Sequence, residues 1–343
     1  MNQYQNVEKI FEDFRPYLDS YWVYVVGIIL GILTAIRSYM GGSECPSNQR
    51  IDGKIVLITG ASSGIGKETA IELGRRGGRI ILAVKNTVSG NKVAEKIRSI
   101  SNGKAEVKCV DLSSLKSVQN LVKNLEVDRI DILINNAGIA FHPFEKTEEG
   151  FEMHFATNYL GHFLLTQLLL PKLKKSDQGR IINLSARAHM LSSINLDDLN
   201  QEQKFTARGA FAQSKLALVL MTIYMSSLLK DNTKITINAV DPGLVRGTGN
   251  TRRSPISSTY LMKTIMQPWM WLLLKNPVEG AQTSIYLAVS PDLVNQTGKY
   301  FSDCELKTPS ENAENDYLSK ELYEKSMALI QPYMSLKNSN LSS

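Results

Sequence analysis

Between Lys54 and Glu72 an apolar run, a cluster of glycines and the opening of a helix succeed one another without a break. Ile55, Val56, Leu57 and Ile58 are too few for a helix and rich in β-branched side chains, which predicts a buried strand. Thr59, Gly60, Ala61, Ser62, Ser63, Gly64, Ile65 and Gly66 come next, and helical periodicity starts at Ile65. A glycine turn of this kind lets the backbone approach a pyrophosphate, held on the unpaired N–H groups of the helix start. The spacing is G-x-x-x-G-x-G rather than the commoner G-x-G-x-x-G. On the glycines alone an ordinary strand–turn–helix competes with that reading.

Downstream the chain alternates regularly. Apolar runs at Arg79–Val84, Glu106–Val110, Ile130–Ile134, Arg180–Ser185 and Lys234–Val240 read as strands. Helical patterns such as Val118–Leu125, Phe151–Leu173 and Phe211–Leu229 fall between them. Strict alternation predicts an α/β fold, a single doubly wound (Rossmann-type) parallel sheet with helices on both faces, over about residues 51–302. The net charge of +6 is spread along the chain with no lysine- or arginine-rich block, so a nucleic-acid partner is not expected. Cys45, Cys109 and Cys304 are widely spaced and odd in number. They fit no metal or disulfide framework and point to a reducing compartment.

Ahead of this body, Ser20 to Ile36 carries no charge, at the short end of a bilayer span. Tyr21, Trp22 and Tyr24 cluster at one edge, where amphipathic rings favour the interface. A cleaved signal peptide or a buried helix are the other readings. The leader, however, holds Glu8, Glu12, Asp13 and Asp19 rather than a basic region. We therefore expect a tail over 1–19, a retained transmembrane helix over 20–36, a linker over 37–50 and a C-terminal tail over 303–343. Lys9 and Arg15 against Arg37, Arg50 and Lys54 lean towards a cytosolic body. The expected placement is single-pass in an intracellular membrane, the endoplasmic reticulum.

In a doubly wound sheet the ligand lies beyond the carboxyl ends of the strands. A carboxylate ending the second strand would bond an adenosine ribose 2′-hydroxyl and repel a 2′-phosphate. Here Val84 is followed by Lys85 and Asn86, a cation and no acid, which favours NADP(H) over NAD(H). Asp111 and Leu112, ending the third strand, are candidates to flank the adenine.

Taken together, Gly60, Gly64 and Gly66 after Thr59, Asp111-Leu112, Asn135-Asn136-Ala137-Gly138, Asn158 and Asp241-Pro242-Gly243 resemble the short-chain dehydrogenase/reductase family in order and spacing. Within it the chain is similar to the membrane-anchored retinol dehydrogenase branch, and there to the X-linked dehydrogenase/reductase type. The segments that carry this are Phe155–Thr166, Gln213–Leu220 and Glu279–Tyr286. The resemblance implies a cofactor site of Gly60, Ser62, Ser63, Gly64, Ile65, Gly66, Lys85, Asp111, Leu112, Asn136, Ala137, Gly138, Lys215, Pro242 and Gly243, with no metal. It implies hydride transfer between nicotinamide and an alcohol or carbonyl. A tyrosine four residues before a lysine exchanges the proton, a serine after the fifth strand bonds the substrate oxygen, and an asparagine helps hold a water relay. It also implies pairing of copies, or of the chain with a relative, through the Phe151–Leu173 and Phe211–Leu229 helices.

Asn158 and Lys215 stand at the asparagine and lysine positions. The tyrosine position is Phe211, with no hydroxyl, and the serine position is Ala186. Ser185 stands next to it, but successive strand side chains point to opposite faces. Tyr333 precedes Lys337 by four residues but lies in the C-terminal segment. Gly247 replaces the family's usual threonine, with Thr248 one place on. Residues 247–277 are the expected lid, and the Met266–Leu274 stretch suits either a lipid-like small molecule from the bilayer or a cover for the sheet edge. Sequons begin at Asn183, Asn295 and Asn340; Asn183 falls in a core strand. The expected function is an NADP(H)-binding, membrane-anchored family member, weak or inactive as an oxidoreductase, that serves as a cofactor-binding scaffold. The alternative is an active oxidoreductase on a retinoid, steroid or polyisoprenoid that uses another proton donor.

Overall fold

The computed structural model describes residues 21–101, 104–230, 234–247 and 260–335. The expected N-terminal tail, most of the loop ahead of the lid helix with Thr248, and Lys337 and Asn340 lie outside these residues. Parallel strands β1 (Ile55–Thr59), β2 (Arg79–Val84), β3 (Ala105–Cys109), β4 (Ile132–Asn135), β5 (Gly179–Leu184), β6 (Ile235–Asp241) and β7 (Tyr300–Ser302) form one sheet with antiparallel β8 (Glu305–Lys307). Their spatial order is β3-β2-β1-β4-β5-β6-β7-β8. The chain winds outward from β1 to β3, then returns to lay β4 on the other side of β1. That reversal opens a crevice at the carboxyl ends of β1 and β4.

The helices are α1 (Tyr21–Gly41), α2 (Gly64–Arg75), α3 (Thr87–Ser101), α4 (Leu115–Lys123), α5 (Gly161–Leu173), α6 (Ala207–Leu228), α7 (Tyr260–Leu273), α8 (Pro277–Val289) and α9 (Asp316–Ile330). Alternation along each strand sends side chains to opposite faces. Leu57, Ile81, Leu133, Ile181 and Ile237 pack under α4, α5 and α6, whereas Val56, Ile58, Ile80, Leu82, Ile132 and Ile134 pack under α2, α3 and α8. Burying both faces is what makes these strands near-continuous apolar runs.

Several expected boundaries move; the helix expected from Phe211 starts at Ala207 and the one expected from Val118 starts at Leu115. The Phe151–Leu173 pattern is not one helix: Glu152 bridges to Lys146 in a short antiparallel pairing, and a wide π-turn at Phe155–Leu160 then feeds α5. The helix expected to end at Ile36 runs on to Gly41, because Arg37 is tied to Glu279 and lies over the Trp271 ring. Residues expected as a tail from 303 onward instead extend the body. Asp303 and Cys304 adopt positive φ in the β7–β8 turn, and α9 buries Leu322 and Ile330 in the core it shares with α6.

Two described helices, α1 and α6, are long and apolar enough to cross a membrane. Helix α6 is largely buried in the body, as a core helix is, while no residue of the α1 span is buried. Asn183 is fully buried, bonded to Asn135 at 2.8 Å and Thr222 at 2.9 Å, so its sequon is closed to a glycan.

Candidate active site

The crevice is built by close approach of β1 and β4. The Thr59 hydroxyl accepts from the backbone N–H of Asn136 (2.9 Å) and Ala137 (3.0 Å), and the Asn136 amide donates to the Thr59 carbonyl at 2.7 Å. Only glycine fits the facing positions. Gly60 has φ +66° and a Cβ there would lie 2.8 Å from the Ala137 Cα; a Cβ on Gly66 would lie 2.3 Å from Asn136 Nδ2. Ser63 caps α2 without a side-chain hydrogen bond, which leaves the first-turn N–H groups for a ligand.

One cleft runs across this edge, lined by Gly60, Ser62, Ser63, Gly64, Ile65, Gly66, Lys85, Asp111, Leu112, Asn136, Ala137 and Gly138. Ala83, Val110, Ile139 and Thr157 complete it, none of which the sequence singles out. A cradle that a Cβ would fill, opposite an uncapped helix start, fits the pyrophosphate of a dinucleotide. Pro242 and Gly243 sit further along, at the end of β6, where Gly243 N–H donates to Asp241 at 2.9 Å. At the far end the Lys85 ammonium meets the Asp111 carboxylate at 2.5 Å. Burial pushes the Asp111 carboxyl up, but its bonds to Lys85 and Ser113 outweigh this and the net shift is downward.

Beyond the glycines lies the second half of the site. Asn158 is buried in the π-turn, its amide donating to the Ile139 carbonyl (3.0 Å) and Ser214 Oγ (2.9 Å) while its oxygen accepts from Ile139 N–H at 2.8 Å. Lys215 reaches back from α6 to the Leu184 carbonyl at 2.7 Å, and burial lowers its pKa to about 8. A Cβ on Gly138 would meet both Asn158 Oδ1 (3.3 Å) and Lys215 Nζ (3.5 Å), so these groups converge beside the cleft. Phe211, one turn before Lys215 on α6, places its ring centroid 5.8 Å from the ammonium. Ser185 is turned away: its hydroxyl donates to the Lys215 carbonyl at 2.9 Å. Ala186 caps a short 3-10 turn, Arg187–Leu191. Two buried phenols, Tyr159 and Tyr300, have pKa values pushed up by burial, and Tyr159 is bonded to Ser326 at 2.8 Å, so neither is primed to release a proton. Tyr333 lies elsewhere, its carbonyl accepting from Gln119 of α4 at 3.0 Å.

His162, which lies in the Phe155–Thr166 segment that carries the family resemblance but takes no role from it, holds the two halves together. Its Nδ1 faces the Asn158 carbonyl at 2.8 Å and must carry the proton, so Nε2 accepts the Thr59 hydroxyl proton at 2.9 Å. Its position four residues after Asn158 on one helical face is the signal that could have found it. Burial lowers its pKa from 6.5 to about 4. The neutral ring is therefore the folded form. Its stabilising share is complete above pH 6.5 and is lost as the pH falls towards 4, about 3 kcal/mol in all. Thermal melting of the full chain from pH 7 to pH 4 is expected to show this loss, and His162→Gln to flatten that part of the profile. An unchanged acid slope would show that His162 does not carry it.

A glycine turn at the switch point of a doubly wound sheet, with a buried lysine and asparagine beside it, defines a nicotinamide-dinucleotide oxidoreductase fold. Residues 54–256 match the family model described as short chain dehydrogenase. The chain belongs to the short-chain dehydrogenase family. It is 43% identical to human retinol dehydrogenase 13 over 309 residues, covering 89% of this chain and 93% of that one. It is 40% identical to mouse (Mus musculus) retinol dehydrogenase 12 over 299 residues, 86% of this chain and 92% of that one. Among solved structures, an uncharacterized protein from Mycobacterium paratuberculosis aligns with a TM-score of 0.68 at 31% identity, over 84% of this chain and 98% of its own. A protein from Shigella flexneri 2a, described as a short chain dehydrogenase complexed with NADP, aligns with a TM-score of 0.59 at 25% identity, over 76% of this chain and 100% of its own.

Proposed function

We propose that this protein is an NADP(H)-binding member of the family, anchored through α1 in an intracellular membrane with its body on the cytosolic side, and slow or inert as a catalyst. It serves as a cofactor-loaded scaffold, paired with a second copy or an active relative. A bound nicotinamide supplies hydride; the chain must supply a proton and a donor to the substrate oxygen. The observation that carries the reading is the Phe211 ring, which sets carbon beside the Lys215 ammonium at 5.8 Å. Ala186 offers no hydroxyl, and the Ser185 hydroxyl is committed to the helix backbone. Losing a general acid costs about 10²–10⁴ in rate, and losing an oxyanion donor costs about 10²–10³. The test is NADPH binding by the purified full chain, followed by oxidation on adding retinal, a polyprenal or a steroid ketone. Binding without oxidation is expected. Saturable turnover would overturn the reading and favour an oxidoreductase on one of those lipids, as the names of the retinol dehydrogenase relatives suggest.

The preference for NADP(H) rests on Lys85. Its ammonium is mostly exposed and already paired with Asp111, so a 2′-phosphate can share it without any buried charge being left behind. A hydrogen bond to a charged group contributes about 1.5–3 kcal/mol, so Lys85→Ala is expected to weaken NADPH binding about 10–100-fold. NADH affinity should change little. Equal losses for both cofactors in a fluorescence titration would remove Lys85 as the source of specificity.

A further inference from the structure

Helix α7 leaves large apolar side chains exposed among the described residues. Trp269, Trp271 and Leu273 are 57%, 51% and 41% exposed, and Val278 at the start of α8 adds another 51%, while Leu272 between them is turned inward and buried. Trp269 and Leu273, four residues apart, share one side of the helix, while Trp271, two residues from each, points to the other; so much exposed apolar surface is unusual on a helix that meets only water. The way α1 is fastened indicates what this surface meets. Helix α1 packs against α7. It is held twice one turn before its end: the Arg37 guanidinium pairs with the Glu279 carboxylate, and it lies 5.8 Å from the centre of the Trp271 ring. Glu279 is itself fixed, because its other oxygen closes a capping box with Asn276 at the start of α8. Gly41 is buried against the body. The helix is therefore bolted to the domain.

This attachment sets a level. The uncharged stretch of α1 ends at Ile36, and Arg37 is the first charge after it. A guanidinium at the end of a span marks where hydrocarbon gives way to headgroups. Trp271 lies at that same level, and Trp269 and Leu273 share its helix. Tryptophan is the side chain that favours this zone, since its ring is apolar and its N–H can stay wet.

We propose that α7 is a second membrane-contacting element, lying in the interfacial layer of the bilayer that α1 enters, with Trp269 and Leu273 seated among the lipid chains and Trp271 beside Arg37 at the headgroup level. This rests on the reading of α1 as a membrane span. The occupant of the face is a lipid surface, and the body is held on it at two points with a fixed orientation rather than on a single flexible tether.

The chain offers a clean probe, because its three tryptophans are Trp22 in α1 and Trp269 and Trp271 in α7. The full-length protein is reconstituted into phosphatidylcholine vesicles whose acyl chains carry bromine just below the headgroups. In Trp22→Phe the fluorescence reports α7 alone, and in Trp269→Phe/Trp271→Phe it reports α1 alone. Trp271→Phe combined with Trp22→Phe leaves Trp269 as a reporter with the Arg37 contact relaxed. Brominated lipid is expected to remove most of the α7 emission while aqueous iodide leaves it intact. Lipid quenching of Trp22 with iodide quenching of α7 would overturn the proposal and leave the anchor standing. Emission from α7 shielded from both quenchers would also overturn it, by showing a second protein copy on the face. If neither helix responds to brominated lipid, the anchor reading falls and the proposal falls with it.

Discussion

Phe211→Tyr combined with Ala186→Ser is expected to raise NADPH-dependent reduction of retinal by about 10⁴-fold over the wild-type chain. The geometry needs little else. Phe211 lies in the first turns of α6, half-buried, and a tyrosine there adds one oxygen to a ring already 5.8 Å from the Lys215 ammonium. A nearby cation favours the phenolate, so the introduced phenol has a pKa below the ordinary tyrosine value and releases or takes a proton more readily. Lys215 itself, with a pKa of about 8, is still mostly charged at neutral pH. The gain should therefore fade above about pH 8, as the ammonium that supports the phenol deprotonates. The two substitutions act on one oxygen of the substrate, so each alone should recover much less than the pair. Rates of the four chains over pH 6–9 check this. A wild-type rate within about tenfold of the double variant would mean that Phe211 is bypassed by another donor.

Much of this molecule is legible in its residues, and the illegible parts have identifiable causes. The strands are readable because each is an apolar run that must be buried on both faces, and Arg79–Val84 appears over the residues its pattern predicts. The glycine cradle is readable because its purpose is backbone proximity, which no other residue type permits. Short β8 is not: its residues Glu305, Leu306 and Lys307 are all exposed, so no burial pattern marks them, and pairing with β7 alone creates the strand. The π-turn at Phe155–Leu160 is hidden by its sequence, which reads as an ordinary buried helix. Asn158 is then visible only through resemblance to a family, and the bond between Thr59 and His162, both inside segments that carry that resemblance, becomes visible only once α5 is seen against β1. Lys85 and Asp111 read separately along the chain, as a phosphate cation and an adenine neighbour. The fold brings the ends of β2 and β3 together and makes them one ion pair.

The cradle is also where a single methyl group should do most harm. Gly66→Ala is expected to lower NADPH affinity about 100-fold and to destabilise the chain by about 1–3 kcal/mol. The new Cβ would lie 2.3 Å from Asn136 Nδ2 and 2.8 Å from the Gly60 carbonyl oxygen. Asn136 cannot swing aside cheaply, because that nitrogen donates to the Thr59 carbonyl at 2.7 Å and its backbone N–H to the Thr59 hydroxyl. The first turn of α2 must back away instead, taking with it the N–H groups that face a pyrophosphate. Gly150→Ala separates this effect from general glycine strain. Gly150 has φ +86°, yet an added Cβ there meets nothing within 4 Å. That variant should lose only the left-handed backbone cost of about 1–2 kcal/mol, with NADPH affinity unchanged. Melting temperature and NADPH titration on both variants give the comparison. Should Gly66→Ala melt lower but bind NADPH as the parent does, the turn packs β1 against β4 without holding a phosphate, and the cofactor must be sought at another part of the cleft.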